Sequence, residues 1–373
     1  MTKNPFLLKG YVSAEYFCNR DIETSKIISA IDNGRDLTLI SPRRMGKTGL
    51  IYHILNKENV KNKYIPIYCD IYQTSNLADF AKVLSNAVFN QIEKTPERIL
   101  KKIKQFFSTL SPSVSFNPIT LQAEIDLKIG TVKEAENSIQ QIFSLIEKSK
   151  KPIVLAIDEF QQITHYPEQN VEALLRTYIQ QMTETRIIFS GSSKHLLSAI
   201  FSDYNRPFYQ STQLLTLPKI NNRDYSGFIS EKFNDAKRII ADEAISYILD
   251  LVRTHTYYVQ YLCNRLFESK NRNITKDDVD KTLLNVLLEN EEYYYTYRNL
   301  LTGQQFSLLK AIGKENGIDK PSSKDFIQKH KLGTTSTINS AIKSLLLKDL
   351  IFKEGNKYLV YDVFFSLWLK LLN

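Results

Sequence analysis

The sequence contains little of what marks disulfide-rich, fibrous or membrane proteins. Its three cysteines, Cys18, Cys69 and Cys263, are odd in number and far apart, which fits neither a closed disulfide framework nor a metal knuckle. Only 12 Gly and 11 Pro occur among 373 residues, so collagen-like and low-complexity chains are excluded. No apolar run approaches the roughly 18 residues that a membrane span needs. The N-terminus lacks the basic stretch and apolar core of a signal peptide, so we expect a cytoplasmic protein that contacts no membrane.

What is present is the composition of a packed globular chain. Hydrophobic residues make up 43% and charged residues 24%, which is enough apolar surface to offset the entropy lost when the chain is ordered. At roughly 100–200 residues per domain, the length predicts two or three domains. The net charge is +9, from 49 basic and 40 acidic residues, and this moderate excess allows contact with nucleic acid without requiring it.

Residues 1–220 alternate short apolar runs with amphipathic stretches, which predicts an α/β domain with a parallel sheet covered by helices on both faces. The amphipathic stretches include Asn76–Lys94 and Val132–Lys148. Between these two, Ser113–Phe116 and Leu121–Ile129 alternate polar and apolar residues, which predicts a β-hairpin inserted at about residues 108–130. The predicted strands of the sheet are Leu37–Ile40, Tyr64–Asp70, Ile153–Ile157, Arg186–Ser190 and Gln213–Leu217.

Residues 221–298 carry helical patterns throughout, which predicts a helical bundle. Asp242 and Thr275 are the expected N-caps of two of its helices. A tyrosine cluster at residues 293–297 is expected to form an interdomain packing face rather than a stacking surface for nucleic acid bases. The predicted helices are Asp224–Phe233, Asp242–Thr254, Tyr257–Ser269 and Lys276–Tyr297.

Residues 299–373 follow the order of a winged helix-turn-helix. The last segment holds Phe364, Phe365 and Trp368 among leucines, which is more apolar surface than an exposed helix carries. We therefore expect Trp368 to be buried inside this domain or against a neighbouring one. The predicted elements are helices at Thr302–Lys314, Ser323–His330 and Thr335–Lys348 and a hairpin of Ile351–Lys353 with Lys357–Val360.

The segment LTLISPRRMGKT, residues 37–48, places an apolar strand before a loop and a helical pattern. This is the context of a P-loop, in which backbone N–H groups cradle phosphates, the lysine reaches the β- and γ-phosphates and the threonine hydroxyl binds Mg²⁺. Ser41 replaces the first glycine of the motif, which changes the entry of the loop without removing a phosphate ligand. Arg43 and Arg44 either shape the loop or touch phosphate. The residues expected to bind nucleotide are Ser41, Pro42, Arg43, Arg44, Met45, Gly46, Lys47, Thr48 and Gly49, with Lys47 also catalytic and Thr48 also a metal ligand.

Two carboxylates follow the apolar strand IVLAI at residues 153–157. Asp158, at the strand tip, is expected to hold Mg²⁺ through water, and Glu159 is expected to polarise the water that attacks the γ-phosphate. A further strand, RIIFSGSS at residues 186–193, ends in small polar residues. If this strand lies between the other two, Ser190 or Ser192 approaches the γ-phosphate. Otherwise these residues form only a strand-exit turn.

With these elements located, the chain resembles an AAA-type ATPase of the archaeal-ATPase group, which belongs to the STAND-like signalling P-loop NTPases. The resemblance implies ATP and Mg²⁺ as ligands, and an extra strand between the lysine and acid strands. It also implies that Arg206 faces the γ-phosphate, in its own or a neighbouring subunit, although from the residues alone Arg206 is equally a surface charge. The matching segments are FCNRDIE (17–23), PRRMGKT (42–48), IDEFQQI (157–163), FSGSS (189–193), NRPFYQ (205–210) and YDVFFSLWLK (361–370).

The sequence therefore predicts a slow, Mg²⁺-dependent ATPase that acts as a nucleotide-controlled conformational switch, with the helical bundle as a lid and the winged helix as an effector or latch. A homo-oligomer and a protein effector are candidate partners. The alternative is a DNA-binding regulator with a secondary or inactive nucleotide site. Residues 301–373 hold 11 Lys, no Arg and six acids, which suits contact with DNA phosphates but weakens readout of guanine.

Overall fold

The structure is a computed structural model that describes residues 3–93, 95–107, 112–119, 122–269 and 271–372. The chain forms two compact units: Lys9–Ile220, and the described residues from Asn221 onward together with those up to Leu8. Within the described ranges, no helix is both long and apolar enough to cross a membrane. The three cysteines are buried and have free thiols.

The first unit is built on a five-stranded sheet in which every neighbouring pair is parallel. Its strands are β1 (Leu37–Ile40), β2 (Ile65–Asp70), β5 (Ile153–Asp158), β6 (Arg186–Gly191) and β7 (Gln213–Thr216), in the order β2-β5-β6-β1-β7. Strands β1 and β5 are buried along their whole length, which explains why they are continuous apolar runs. The predicted fold class is confirmed, and β6 lies between the lysine strand and the acid strand.

Helices cover both faces of this sheet and bury a separate apolar core on each. The helices are α1 (Asp21–Asp32), α2 (Lys47–Asn56), α3 (Glu58–Lys63), α4 (Leu77–Ile92), α5 (Pro96–Phe106), α6 (Val132–Glu147), α7 (Val171–Gln180) and α8 (Lys194–Ser202), with short 3-10 helices at Ala14–Tyr16 and Phe160–His165. Residues of α1, α2 and α3 contribute to one core, and residues of α4 to α8 contribute to the other. Helix α5 was not predicted, although its buried Ile99 and Ile103 have helical spacing.

The inserted β-hairpin is confirmed between α5 and α6. Strand β3 (Ser113–Phe116) pairs antiparallel with β4 (Ala123–Asp126). Residues 108–111 and 120–121 of the predicted insertion, including Leu121, lie outside the described residues. Two asparagines of α4 attach the hairpin: the amide of Asn86 exchanges hydrogen bonds of 2.7 and 3.0 Å with the backbone of Ile125, and Asn90 does the same with Ala123 at 2.8 Å.

The second unit begins with five helices and two very short parallel strands. The helices are α9 (Asn222–Asp235), α10 (Asp242–Leu251), α11 (Thr256–Glu268), α12 (Lys276–Glu289) and α13 (Glu291–Leu300), and the strands are β8 (Ile239–Ile240) and β9 (Asn273–Ile274).

Two sequence predictions in this region are wrong. The single helix predicted at Lys276–Tyr297 is two helices, because the chain leaves helical geometry at Asn290, whose side chain donates to the Val286 carbonyl at 2.7 Å. The N-cap of α10 is Ala241, and Asp242 is the first helical residue, where its negative charge favours the positive end of the helix dipole. Thr275 is the N-cap of α12 as predicted, in a capping box with Asp278.

The chain ends in the predicted winged helix. Helices α14 (Gly303–Lys314), α15 (Lys324–Lys329) and α16 (Thr335–Leu347) precede the hairpin of β10 (Ile351–Glu354) and β11 (Lys357–Val360), and α17 (Val363–Leu371) closes the chain. A bridge between Ile318 and Tyr358 adds a third segment to the wing.

Helix α17 packs against the helices that precede the winged helix. The Trp368 ring is 2% exposed and lies 5.4 Å, between ring centroids, from Tyr294 of α13. Phe364 lies 4.9 Å from Tyr258 of α11 by the same measure. Arg253 donates to the Ser366 hydroxyl at 2.8 Å. The expectation that Trp368 is buried is therefore confirmed, and part of the tyrosine cluster serves as its packing surface.

Candidate nucleotide-binding site

The loop between β1 and α2 has the backbone geometry that the motif requires. Arg44 and Gly46 have φ values of 63° and 90°, and Gly46 leads directly into α2. Alternation of left-handed and right-handed residues forms a concave set of backbone amides that binds anions, and the helix N-terminus adds its own N–H groups. Ser41 does not have a positive φ, so a side chain at this position causes no backbone strain. The loop therefore keeps its anion-binding form despite the missing first glycine.

Lys47 lies in the interior of this loop, with 6% of its surface exposed. Its ammonium donates to the carbonyl oxygens of Ser41 and Pro42 at 2.9 and 3.1 Å, and it lies 3.3 Å from the Ser41 hydroxyl. Burial lowers the pKa of Lys47 to about 8, and the carboxylates of Glu159 and Asp158 oppose that shift. With this pKa, Lys47 still carries its positive charge inside the loop at neutral pH.

The carboxylate of Asp158 collects hydrogen bonds from several elements at the carboxyl end of the sheet. Its Oδ2 accepts from the hydroxyls of Thr48 and Tyr68, both at 2.8 Å. Its Oδ1 accepts from the Ser190 hydroxyl at 2.5 Å and from the backbone N–H of Glu159 at 3.0 Å. Asp158 is 2% exposed, and its bond from Ser190 is buried, where a hydrogen bond is strongest, whereas Thr48 lies on the exposed side of the site. Thr48, Asp158 and Ser190 are thus brought together at the carboxyl end of the sheet.

Glu159 follows in a left-handed conformation with a φ of 58°. Its Oε2 accepts from the backbone N–H and the hydroxyl of Ser192, at 3.2 and 2.7 Å, and from the amide of Gln161 at 2.5 Å. Arg43 of the P-loop donates to the same Ser192 hydroxyl at 3.3 Å. A Cβ at Gly191 would lie 1.9 Å from Oε1 of Gln161, so only glycine leaves room for this amide. The P-loop is thereby linked through Ser192 to Glu159.

The donor set fits Mg²⁺. The hydroxyl of Thr48 and the carboxylate of Asp158 lie 2.8 Å apart. Both are hard oxygen donors, the kind of ligand that Mg²⁺ prefers. In the part of the chain that the structure describes, no cluster of three or more His, Cys, Asp or Glu is arranged to hold a metal. The two oxygen donors of Thr48 and Asp158 suit an ion that takes most of its ligands from phosphates and water.

The other predicted residues of the loop lie around this centre. Pro42 and Gly49 are half-buried, and the Arg44 side chain is exposed. Met45 is buried, and its carbonyl lies 3.5 Å from the guanidinium of Arg20, which also donates to the Pro218 carbonyl at 2.6 Å. Arg20 therefore joins the P-loop to the end of the first unit. The family resemblance of FCNRDIE, which contains Arg20, marked this segment in the sequence, but it did not indicate that Arg20 contacts Met45 and Pro218.

Arg206 pairs with Glu172 rather than with the residues around Asp158. Its guanidinium forms a bidentate ion pair with Glu172 of α7, in which Nε lies 3.1 Å from Oε2 and Nη2 contacts Oε1.

The sequence analysis missed three residues that contact the predicted ones, Glu172, Tyr68 and Gln161. Gln161 follows the two acids within IDEFQQI, whereas nothing in the local sequence marks Tyr68 or Glu172.

Two family models match the chain. The one described as an ATPase domain predominantly from Archaea matches residues 17–262. The one described as a probable winged helix domain matches residues 292–371.

Two uncharacterized ATP-binding proteins of Methanocaldococcus jannaschii are similar to part of the chain. One is 31% identical over 151 residues, which is 39% of this chain and 40% of the relative. The other is 32% identical over 154 residues, which is 39% of this chain and 36% of the relative. The chain thus spans about two fifths of the length of these curated relatives.

Two solved structures share the fold over nearly the whole length. The Walker-type ATPase of Pyrococcus abyssi has a TM-score of 0.66 and 17% identity, over 98% of this chain and 99% of that chain. The ORC2 protein of Aeropyrum pernix, in ADPNP–ADP complexes, has a TM-score of 0.60 and 12% identity, over 99% and 96%. At such low identity these similarities show the fold alone.

Proposed function

The chain belongs to the family of ATPase domains found predominantly in Archaea, and on that premise we propose that it binds Mg-ATP at the P-loop and hydrolyses it slowly as a nucleotide-controlled switch. The observation that carries this proposal is the convergence on Asp158 of Thr48 from the P-loop helix and Ser190 from β6. The finer assignment to the AAA-type, STAND-like group is part of the same proposal.

Binding rests on the loop and its lysine. We assign the phosphates to the backbone amides of residues 41–49 and to the ammonium of Lys47. The carbonyls of Ser41 and Pro42 now accept hydrogen bonds from that ammonium, and in the complex phosphate oxygens replace them. A phosphate oxygen carries more negative charge than a carbonyl, so the exchange favours the bound state.

We assign the binding of magnesium to Thr48 and Asp158. When bound, the ion neutralises charge on the β- and γ-phosphates. Thr48 supplies a hydroxyl oxygen at the first turn of α2, and Asp158 supplies a carboxylate from the tip of β5 that holds the ion through water. Ser190 and the backbone of Glu159 donate to the other carboxylate oxygen and so help to orient Asp158 before the ion arrives.

Hydrolysis requires a group that orients the attacking water, and we assign this role to Glu159. Among the described residues, the three donors to its carboxylate all contact Oε2. Oε1 therefore keeps its lone pairs for a water proton. Because Arg43 and Ser192 connect the P-loop to Oε2, phosphate binding and the position of Glu159 are coupled.

The switch is the part that depends on the second unit. We propose that the helices at residues 221–298 act as a lid and the winged helix as an effector or latch. Within that unit α17 buries Trp368 against Tyr294, so we expect the lid helices and the winged helix to move as one body. Slow hydrolysis suits this role because a switch must persist in one state.

The test is calorimetry of the full chain with ATP and Mg²⁺, followed by measurement of its size with and without nucleotide. Mg-dependent ATP binding in the wild type and its loss in Lys47→Ala support the proposal. Absence of ATP binding in the wild type overturns it. A change in molecular size with ATP identifies a homo-oligomer as the partner that nucleotide controls.

DNA binding through the winged helix is the second candidate. One face of α16 is exposed to solvent and carries Ser336, Asn339 and Lys343, and residues 334–348 contain no acid. Lys353 and Lys357 are exposed on the wing beside it. Such a surface suits phosphate contacts with little sequence preference. Duplex binding of the full chain over a salt series tests it, and binding that is absent even at low salt excludes it.

A further inference from the structure

Tyr68 contacts Asp158, one of the residues assigned to magnesium. It does so from β2, the neighbour of β5 on the side opposite β6. It lies on β2, where its backbone pairs with Ala156, two residues before Asp158. Its hydroxyl donates to Oδ2 of Asp158 at 2.8 Å, the oxygen that also accepts from Thr48 at 2.8 Å. Its ring lies 4.4 Å, between centroids, from the ring of Tyr52 on α2.

These contacts connect the P-loop helix both to β2 and to the acid strand β5. The two tyrosine rings pack α2 against β2, and the two hydroxyls of Tyr68 and Thr48 bind one carboxylate oxygen. Oδ2 of Asp158 therefore has two hydroxyl donors, one from β2 and one from α2. With both donors in place, the carboxylate has one favoured rotation, and the proton of Thr48 points at Asp158. The lone pairs of the Thr48 oxygen are then left for a cation.

We propose that Tyr68 is a positioning residue for magnesium, which fixes Oδ2 of Asp158 and through it the hydroxyl of Thr48. This inference rests on the proposed function, because it concerns the same nucleotide site. Removal of the phenolic hydroxyl leaves the carboxylate of Asp158 with one donor fewer and a broader range of rotations. Thr48 then loses its fixed acceptor, and magnesium must order both groups when it binds. The phosphates, which Lys47 and the loop amides hold, are not affected by this change.

The experiment compares Tyr68→Phe with the wild type in the full chain. Binding of a fluorescent ATP analogue is measured in EDTA and over a series of Mg²⁺ concentrations, with no reliance on hydrolysis. A hydrogen bond to a charged group is worth enough to predict a roughly tenfold higher Mg²⁺ concentration for half of the magnesium-dependent gain in affinity. Affinity in EDTA is expected to stay within about twofold of the wild type, since Phe keeps the ring that packs on Tyr52.

Tyr64→Phe is the matched control. Tyr64 also donates to an aspartate, Asp32, at 3.1 Å, but this pair lies on the exposed side of the unit. Tyr64→Phe should match the wild type both in EDTA and with Mg²⁺. A wild-type Mg²⁺ dependence in Tyr68→Phe overturns the inference, and so does an equal loss of affinity with and without Mg²⁺, which is the result of a general packing defect. Failure of the proposed function is a different observation, because the wild type itself then shows no Mg-dependent ATP binding, and the inference falls with it.

Discussion

The ammonium of Lys47 donates to the carbonyl oxygen of Ser41 at 2.9 Å, so the lysine that ends the loop is bound to the residue that begins it. The first glycine of the motif is replaced at this position, and the serine contributes through its backbone and its hydroxyl rather than through special flexibility. The loop is thus closed on itself around a buried cation.

Lys47→Ala is expected to abolish Mg-ATP binding, because the buried ammonium is the main positive charge that we assign to the β- and γ-phosphates. Calorimetry with ATP measures the effect. Lys57→Ala, a lysine at the end of the same helix and away from the loop, is the control and should bind as the wild type does. Equal affinities in Lys47→Ala and wild type would remove the lysine from the site.

Glu159→Gln should keep ATP binding and lose turnover. The amide has nearly the same shape as the carboxylate, but it cannot accept a proton from water at the expected oxygen. Release of phosphate and binding of ATP are measured on the same preparation. Glu58→Gln, an exposed glutamate on α3, is the control with unchanged turnover. Wild-type turnover in Glu159→Gln would disprove the assigned role.

Arg206→Ala tests the arginine that the structure pairs with Glu172. If Arg206 stabilises the transition state, its loss should slow hydrolysis by about 10³–10⁵-fold while ATP binding changes far less. If the pair is only structural, Arg206→Ala and Glu172→Gln should lower the melting temperature alike and leave hydrolysis unchanged. A mixture of Arg206→Ala and Glu159→Gln that regains activity would place the arginine in a neighbouring subunit.

Trp368→Ala should destabilise the second unit by about 3–5 kcal/mol, because it opens a large cavity among buried aromatic rings. Unfolding in urea provides the measurement, and it is followed by circular dichroism and tyrosine fluorescence because Trp368 is the single tryptophan of the chain. Leu347→Ala is the control, since Leu347 is 87% exposed, and should change stability by less than about 0.5 kcal/mol. Truncation after Asp362 should destabilise at least as much as Trp368→Ala, and a truncated chain as stable as the parent would contradict the packing role.

Glu315 gives the second unit a dependence on pH. Hydrogen bonds from Lys329 and His330 hold the pKa of Glu315 below its usual value. A carboxyl whose pKa is lower in the folded state stabilises the fold above its unfolded pKa and loses that contribution as pH falls through its folded pKa. Glu315→Gln should therefore cost up to about 1 kcal/mol at pH 7, since the pair is partly exposed. The difference from wild type should begin to shrink as the pH falls below roughly 4.3, the ordinary pKa of glutamate, and should disappear at a pH below the lowered folded pKa. Urea unfolding at both pH values tests this, and a cost that does not change with pH would refute it.

The strands and the phosphate loop could be predicted from sequence because each depends on neighbouring residues. All five predicted strands end within one residue of the observed ones. For β1 and β5 the reason is that strands buried on both faces must be apolar throughout. The order of the strands came only from family resemblance, because it is decided by crossovers between distant segments. The break at Asn290 was missed, since the apolar pattern continues across it while the backbone there leaves helical geometry.

By itself, the sequence determined that the chain has an α/β domain with a P-loop, two acids after a buried strand and a C-terminal winged helix. Only the tertiary structure decided that Tyr68 and Ser190 both donate to Asp158, that Arg206 pairs with Glu172 and that Trp368 packs on Tyr294. The physical reason is that a motif is a local property of backbone and spacing. A hydrogen bond between strands depends instead on which distant segments become neighbours when the apolar faces are buried, and no short stretch of sequence records that choice.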